Sequence, residues 1–297
     1  SNSLIDMQNC QYVRLSNLVF RRGTADEAVS YMVRMGVRST GCQVLDCGFV
    51  DNVQPFSTVA EVYTGAAPSI RVERCSFYGG ITGINATGFA SDNLTSGNVL
   101  VNNYFENQSN NAIIASNQTG VIIQGNYMND VLTNAGYILQ MLHCYGPSQV
   151  LQNKVYSSHG ASCIGMSEMH GTVSQRALVA NNMLVSLDDG QSDILTTPLN
   201  VISGDYINVV YNSVRMYAPE KSGIAAATFG GDAINNCQFV NNIVASYDAN
   251  NYAFNYIPGN GSGNYISNNL YYTQCPTLNR LSGNNYYNLS SWQNDVA

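Results

Sequence analysis

Only 10% of the residues are charged, so the groups able to do acid–base or ionic chemistry are few and their spacing is informative. Asp188, Asp189 and Asp193 lie within six positions of one another, with Glu168 and His159 shortly before them. Two carboxyls set roughly 5 to 9.5 Å apart on either side of a glycosidic bond suffice for hydrolysis, with a histidine assisting proton transfer. Elimination needs instead a base and a partner for a uronate carboxylate, often a cation held by Asp and Glu. A calcium ion is expected only in that second case; otherwise no cofactor and no metal is implied. Tyr217, Lys221, Tyr247, Asp248 and Tyr252 follow in the next stretches, and rings beside polar groups are what a sugar needs, stacking for its apolar face and hydrogen bonds for its hydroxyls. His143, Cys144 and His170 make a conceivable zinc set, but they lack recognisable ligand spacing. The bland alternative is that these are solvated loop residues, Asp188-Asp189-Gly190 being an ordinary turn signal.

Chemistry of this kind needs a scaffold that brings distant residues side by side, and the sequence supplies one. A cassette of alternating apolar residues, an Asn and a further apolar pair recurs, as in Val99-Leu100-Val101-Asn102-Asn103-Tyr104-Phe105 and Phe239-Val240-Asn241-Asn242-Ile243-Val244. The repeated position runs Asn17, Cys47, Cys75, Asn103, Asn126, Asn153, Asn182, Asn212, Asn242, Asn269 and Asn285, mostly in steps of 23 to 30 residues. Ile164, Ile194 and Ile224 recur at steps of 30. Three short strands joined by turns fill such a repeat, each coil lying ~4.8 Å above the last through parallel pairing. A leucine-rich repeat has a similar period, but its Leu-x-x-Leu-x-Leu frame is absent. The pattern predicts an all-β, right-handed, single-stranded parallel β-helix of about eleven coils, with stacked turn asparagines exchanging amide hydrogen bonds. One domain over 1–297, cut from a longer chain, is expected, with Trp292 covering the C-terminal end.

Charge narrows the partners. A net charge of −7, with Lys154 and Lys221 the only lysines, argues against nucleic acid, which requires a clustered positive face. No apolar run approaches the ~20 residues of a membrane span, so no membrane insertion is expected. The eight cysteines show no CxxC spacing and read as buried free thiols.

Units such as Val209-Val210-Tyr211-Asn212-Ser213-Val214-Arg215-Met216 and Ile266-Ser267-Asn268-Asn269-Leu270-Tyr271-Tyr272 resemble the repeats of secreted bacterial β-helix proteins of the pectate-lyase-like superfamily. That resemblance spans nearly the whole chain and implies an extracellular, cell-surface or periplasmic protein with a polysaccharide or surface glycan as partner. It does not choose a chemistry, because the superfamily holds lyases, hydrolases, epimerases, tailspikes and adhesins. Ser158-His159-Gly160-Ala161-Ser162-Cys163-Ile164-Gly165 is similar to a polygalacturonase motif, but the aspartate motifs that precede it in that family are missing. Two readings stay open: a polysaccharide-cleaving enzyme, hydrolase more than lyase, and a non-catalytic adhesin or tailspike-like module. The enzyme should show a groove walled by residues 187–193 and 217–222 with two carboxyls in reach of one sugar.

Overall fold

The computed structural model describes residues 3–22, 30–51, 59–89, 94–132, 136–188, 197–231 and 233–291. Three parallel sheets wrap around one apolar interior, and each coil contributes a strand to each sheet in turn. The second and third sheets each stack 10 strands, giving about 9 turns of a parallel β-solenoid rather than eleven. The coil assigned to Asn285 is absent. Asn279–Leu281 is the last strand laid parallel on the first sheet, and Asn284–Tyr286 folds back antiparallel against it, so Asn285 belongs to a terminal hairpin.

The turn from the second to the third sheet holds two residues in every coil, and they divide the work. The first takes left-handed backbone angles, from φ 52° at Arg74 to φ 66° at Gly125, a region that few non-glycine residues enter. The second turns its side chain inward and forms the rung. Pairing of Val19 with Gly48 puts Leu18 in the rung column and makes Asn17 the left-handed residue before it. From Asn103 to Asn269 every rung is an asparagine. Asn182 shows the pattern: its Nδ2 donates to Asn212 Oδ1 at 2.9 Å and to the Val150 carbonyl at 2.9 Å. Its Oδ1 accepts from both the backbone N and the Nδ2 of Asn153, each at 3.0 Å. All four hydrogen-bonding positions of a buried amide are thereby filled. Cys75 replaces the amide one rung before Asn103 and points its thiol, a weak donor, at the Val44 carbonyl, in the same column as the Val72 carbonyl used by Asn103. Burial raises this thiol to about 12, which suits a packing role. The eight cysteines are free, and six of them are buried.

Inside the third sheet Phe20, Phe49, Phe77 and Phe105 form a column with centroids 5.0, 4.8 and 4.7 Å apart and planes within 11° of parallel. That spacing is the coil rise itself. The corner from the third sheet to the first is far less uniform, ranging from two residues between Gly79 and Thr82 to eleven between Leu187 and Leu199. This is why the 30-residue isoleucine repeat is not a structural column. Ile164 pairs with Leu199, and Leu199 with Ala227, because the corner length changes while the rung turn does not. Ile194 lies outside the described residues.

One corner buries charge. The Arg22 and Asp51 side chains are fully buried and meet at 3.3 Å. Glu61 is buried nearby, packed so closely on Gly80 that a Cβ there would fall 1.7 Å from its Oε1. Burial, and next the charge of Asp51, hold the Glu61 carboxyl well above the ordinary glutamate value, so it stays protonated into a range where free glutamate is ionised.

Two outcomes follow from this architecture. Asn182→Ala leaves buried groups on both neighbouring rungs unmatched and should cost about 3 kcal/mol in urea unfolding, whereas Asn269→Ala, at the half-buried end of the row, should cost about 1 kcal/mol. Equal, small losses would mean that the row does not act as a unit. For Glu61 the folded form binds the proton more tightly than the unfolded form, so its contribution is complete below about pH 4.5 and drains away as pH rises toward the folded value. Melting temperature should therefore fall with pH above that point, by at most about 1.4 kcal/mol of stability per pH unit, and Glu61→Gln should flatten the decline.

Candidate functional site

The longest strands of the first sheet are Asn111–Thr119, Tyr137–Tyr145 and Ser162–His170, followed one coil on by Leu199–Asp205. Each is interrupted at the same register by a left-handed residue: Asn117 (φ 53°), His143 (φ 50°), Glu168 (φ 54°) and Ser203 (φ 59°). Left-handed residues repeated in four successive coils are a feature of the fold. The kink leaves His143 and Glu168 both half-exposed on the outer face, with Nδ1 and Oε2 2.5 Å apart.

Two residues further along each strand a second column appears: Tyr145, His170, Asp205 and Asn235. The His170 Nδ1 lies 2.8 Å from Asp205 Oδ2, and the Tyr145 ring sits 4.9 Å from the imidazole. Asp205 Oδ1 accepts a hydrogen bond of 2.9 Å from Asn235 Nδ2, so both of its oxygens are engaged. A carboxylate on Nδ1 fixes the imidazole's orientation and tautomer and presents Nε2 as the proton acceptor. Glu168 is the more exposed carboxyl of the cluster, at 46%.

On the same strands Tyr137 lies flat across Gly165, where a Cβ would fall 2.1 Å from its ring. Its hydroxyl accepts a hydrogen bond from Asn200 Nδ2 at 2.6 Å. Tyr137 and Gly165 border a small cleft with Gln140, Met141, Ser167 and Ile202, an aromatic floor beside amide and hydroxyl groups.

The structure separates the residues expected to act together. Glu168 belongs to the cluster. His159 is half-buried in the corner from the third to the first sheet, its backbone N bonded to Ser157 Oγ at 3.2 Å. Asp188 is buried in the next coil of that corner, its Cγ 3.0 Å from where a Cβ on Gly160 would stand. Eight residues of mostly extended chain separate Gly160 from Glu168, roughly 20 Å or more, so one sugar cannot touch both carboxyls. Asp189 and Asp193 lie outside the described residues, as does Trp292. Asp248 is buried and caps a turn, accepting from Ala218 N at 3.2 Å and Asn250 N at 3.0 Å. Lys221, whose backbone N bonds to the Ala218 carbonyl at 3.1 Å, is half-buried in the same corner. Tyr252 is buried as well, donating to the Gly223 carbonyl at 2.8 Å. Tyr217 is exposed at the end of its third-sheet strand, and Tyr247 is exposed between the Arg215 guanidinium and the Tyr272 ring.

Cys144 cannot complete a zinc set with His143 and His170. It faces the interior with its thiol on the Ala115 carbonyl, and burial raises it to about 12. Among the described residues no group of three or more His, Cys, Asp or Glu side chains is placed to hold a metal ion.

No family model and no curated protein matches the sequence. Solved structures do match in shape, and they place the chain in the class of parallel β-helix proteins. The surface adhesin PfbA of Streptococcus pneumoniae superposes with a TM-score of 0.59 at 11% identity, over 84% of this chain and 62% of the adhesin chain. This chain thus spans less than two thirds of that neighbour's length. The A-module of a mannuronan C-5 epimerase from Azotobacter vinelandii gives 0.47 at 15% identity, over 89% and 79% of the two chains. A tailspike protein of an E. coli bacteriophage, solved with a hexasaccharide, gives 0.39 at 12% identity, over 87% and 56%. No helix is long and apolar enough to cross a membrane among the described residues.

If Asp205 sets the tautomer of His170, Asp205→Ala should shift the ring toward the Nε2–H form in long-range ¹⁵N–¹H correlation spectra. The pair is about one third exposed, so stability should change by less than about 1 kcal/mol. An unchanged tautomer would remove Asp205 from this role.

Proposed function

We propose that this chain binds a polysaccharide along its first sheet, outside the cytoplasm, and cleaves it at the histidine–carboxylate cluster. The observation that carries the reading is the row Asn235, Asp205, His170 and Tyr145, in which a partly exposed imidazole is oriented from behind by a carboxylate that is itself held. His170 Nε2 acts as base and Glu168, two residues away on the same strand, as the acid that protonates the leaving oxygen. Tyr137 and the neighbouring Gln140 and Asn200 supply the stacking surface and hydrogen bonds for a sugar ring.

The division of roles is compatible with hydrolysis, where His170 activates water, and with elimination, where it removes a proton from the sugar. A second reading, glycan recognition without cleavage, is favoured by the pairing of both carboxylates with imidazoles, which engages them as a structural unit.

Incubation with a panel of plant, algal and bacterial polysaccharides should release new reducing ends, with absorbance at 235 nm added only if the bond is broken by elimination. His170→Ala should lower the rate by about 10²-fold or more, and Glu168→Gln by a comparable factor, with oligosaccharide affinity kept. Asp188→Asn should leave the rate within about threefold while lowering stability, because that carboxyl is buried in a corner. Binding without new ends would establish the recognition reading. Cleavage that survives His170→Ala would place the chemistry elsewhere.

A further inference from the structure

A cavity lies on the same edge of the first sheet, toward the N-terminal coils. The C-terminal ends of strands Ser3–Met7, Tyr31–Met35 and Ala60–Tyr63 border it, and its volume is about 370 Å³. Its lining includes Gln8, Asn9, Arg34, Arg38, Tyr63 and Phe89. Arg38 is exposed, and Arg34 is half-exposed, with Nη1 at the long distance of 3.5 Å from Asp6 Oδ2. Among the described residues the cavity is lined by these two guanidiniums and by no carboxylate, with Asp6 beside Arg34 at its edge. Tyr63 is held in place by stacking on Tyr31 at 4.7 Å, while Phe89 is 61% exposed, a large apolar ring presented to solvent at the rim.

The charge of the whole chain is distributed in keeping with this. Seven of the twelve Lys and Arg residues, but only seven of the nineteen acids, fall in the first 75 positions, so the net charge of −7 is carried by the remainder. An anion approaching this end meets no excess of negative charge. Guanidinium forks are matched to planar or tetrahedral oxyanions, and aromatic rings to the apolar face of a pyranose.

We infer that this cavity binds an anionic sugar residue, its carboxylate or sulfate ester on Arg34 and Arg38 and its ring against Phe89 and Tyr63. In the first sheet three strand steps separate Ala60–Tyr63 from Tyr137–Tyr145, and five separate Tyr31–Met35 from Ser162–His170. At ~4.8 Å per step the cavity therefore lies roughly 14 to 24 Å from the histidine cluster along the axis. A single glycan chain laid along the sheet reaches both. The choice of a sugar rests on the carbohydrate reading above; the anion site rests on the arginines alone.

The test uses the full chain labelled with ¹⁵N and follows the arginine Nε–Hε signals during titration with glucose, glucuronate and glucose 6-sulfate. Glucuronate, glucose 6-sulfate or both should shift two arginine signals saturably, their difference telling carboxylate from sulfate, and glucose should not. Those two signals should be the ones lost in Arg34→Gln and Arg38→Gln. Should Arg34→Gln disturb the coil through its Asp6 contact, the exposed Arg38→Gln serves alone. An acidic oligosaccharide should bind about tenfold or more tightly than its carboxyl-reduced or desulfated counterpart, a preference lost in the arginine variants and kept in His170→Ala. Phe89→Ala should weaken both members equally. Absence of arginine shifts, or equal shifts with glucose, overturns the anion site even if a neutral glycan is bound and cleaved. Arginine shifts with no polysaccharide bound by the chain would keep the anion site and sink the carbohydrate reading.

Discussion

A buried amide in an apolar interior costs stability unless all its hydrogen-bonding positions are met, and here they are met by the same residue in the adjoining coils together with a strand carbonyl of the coil before. Each rung from Asn103 to Asn242 accepts from the rung before it and donates to the rung after it, and Asn269 closes the row as acceptor. The turn that carries the rung accordingly never varies from two residues, and its fixed geometry sets the register of the second and third sheets around it. Stability of this kind is a property of neighbours rather than of single coils, as expected for a quasi-one-dimensional repeat.

The freedom withheld from that turn is given to the opposite corner. Connections from the third sheet to the first differ several-fold in length, yet the strands they deliver still align, because register is already set elsewhere in the coil. The first sheet can thus carry long, kinked strands and bring His143 to Glu168 and His170 to Asp205 across insertions that would disrupt a less constrained fold. The Asp51, Arg22 and Glu61 cluster lies in another such corner, where charge is buried without disturbing the rungs.

The rungs were legible because amide stacking demands one residue type at a nearly constant step, and every position from Cys47 to Asn269 is recovered from the sequence. Asn17 and Asn285 mislead for separate reasons. Asn suits left-handed turns as well as rungs, so Asn17 satisfies the pattern one residue early, and Asn285 sits in a hairpin whose antiparallel pairing leaves no mark on a spacing count. Glu168 and His170 were visible as polar residues on one coil, with His143 one coil before. Tyr145 stands the same 25 positions from His170 as His143 does from Glu168, a signal that a column search would find. Asp205 stands 35 positions from His170, because the eleven-residue corner intervenes, and no constant step reaches it. Asp188 and Asp248 looked available because acidic turn residues usually face water, whereas both are folded inward at their corners.

The row of amides also has a direction. Between rungs the amide Nδ2 always donates forward to the next Oδ1 and never back, so a rung fits its neighbours in one orientation and is interchangeable with any other rung. A duplication or deletion of a whole coil keeps donors facing acceptors across the new junction, while a single residue added to the two-residue turn breaks the row on both sides. Length in such a protein is inherited in quanta of one coil. Its evolutionary record should show change by whole coils in number and by single residues only at the corners.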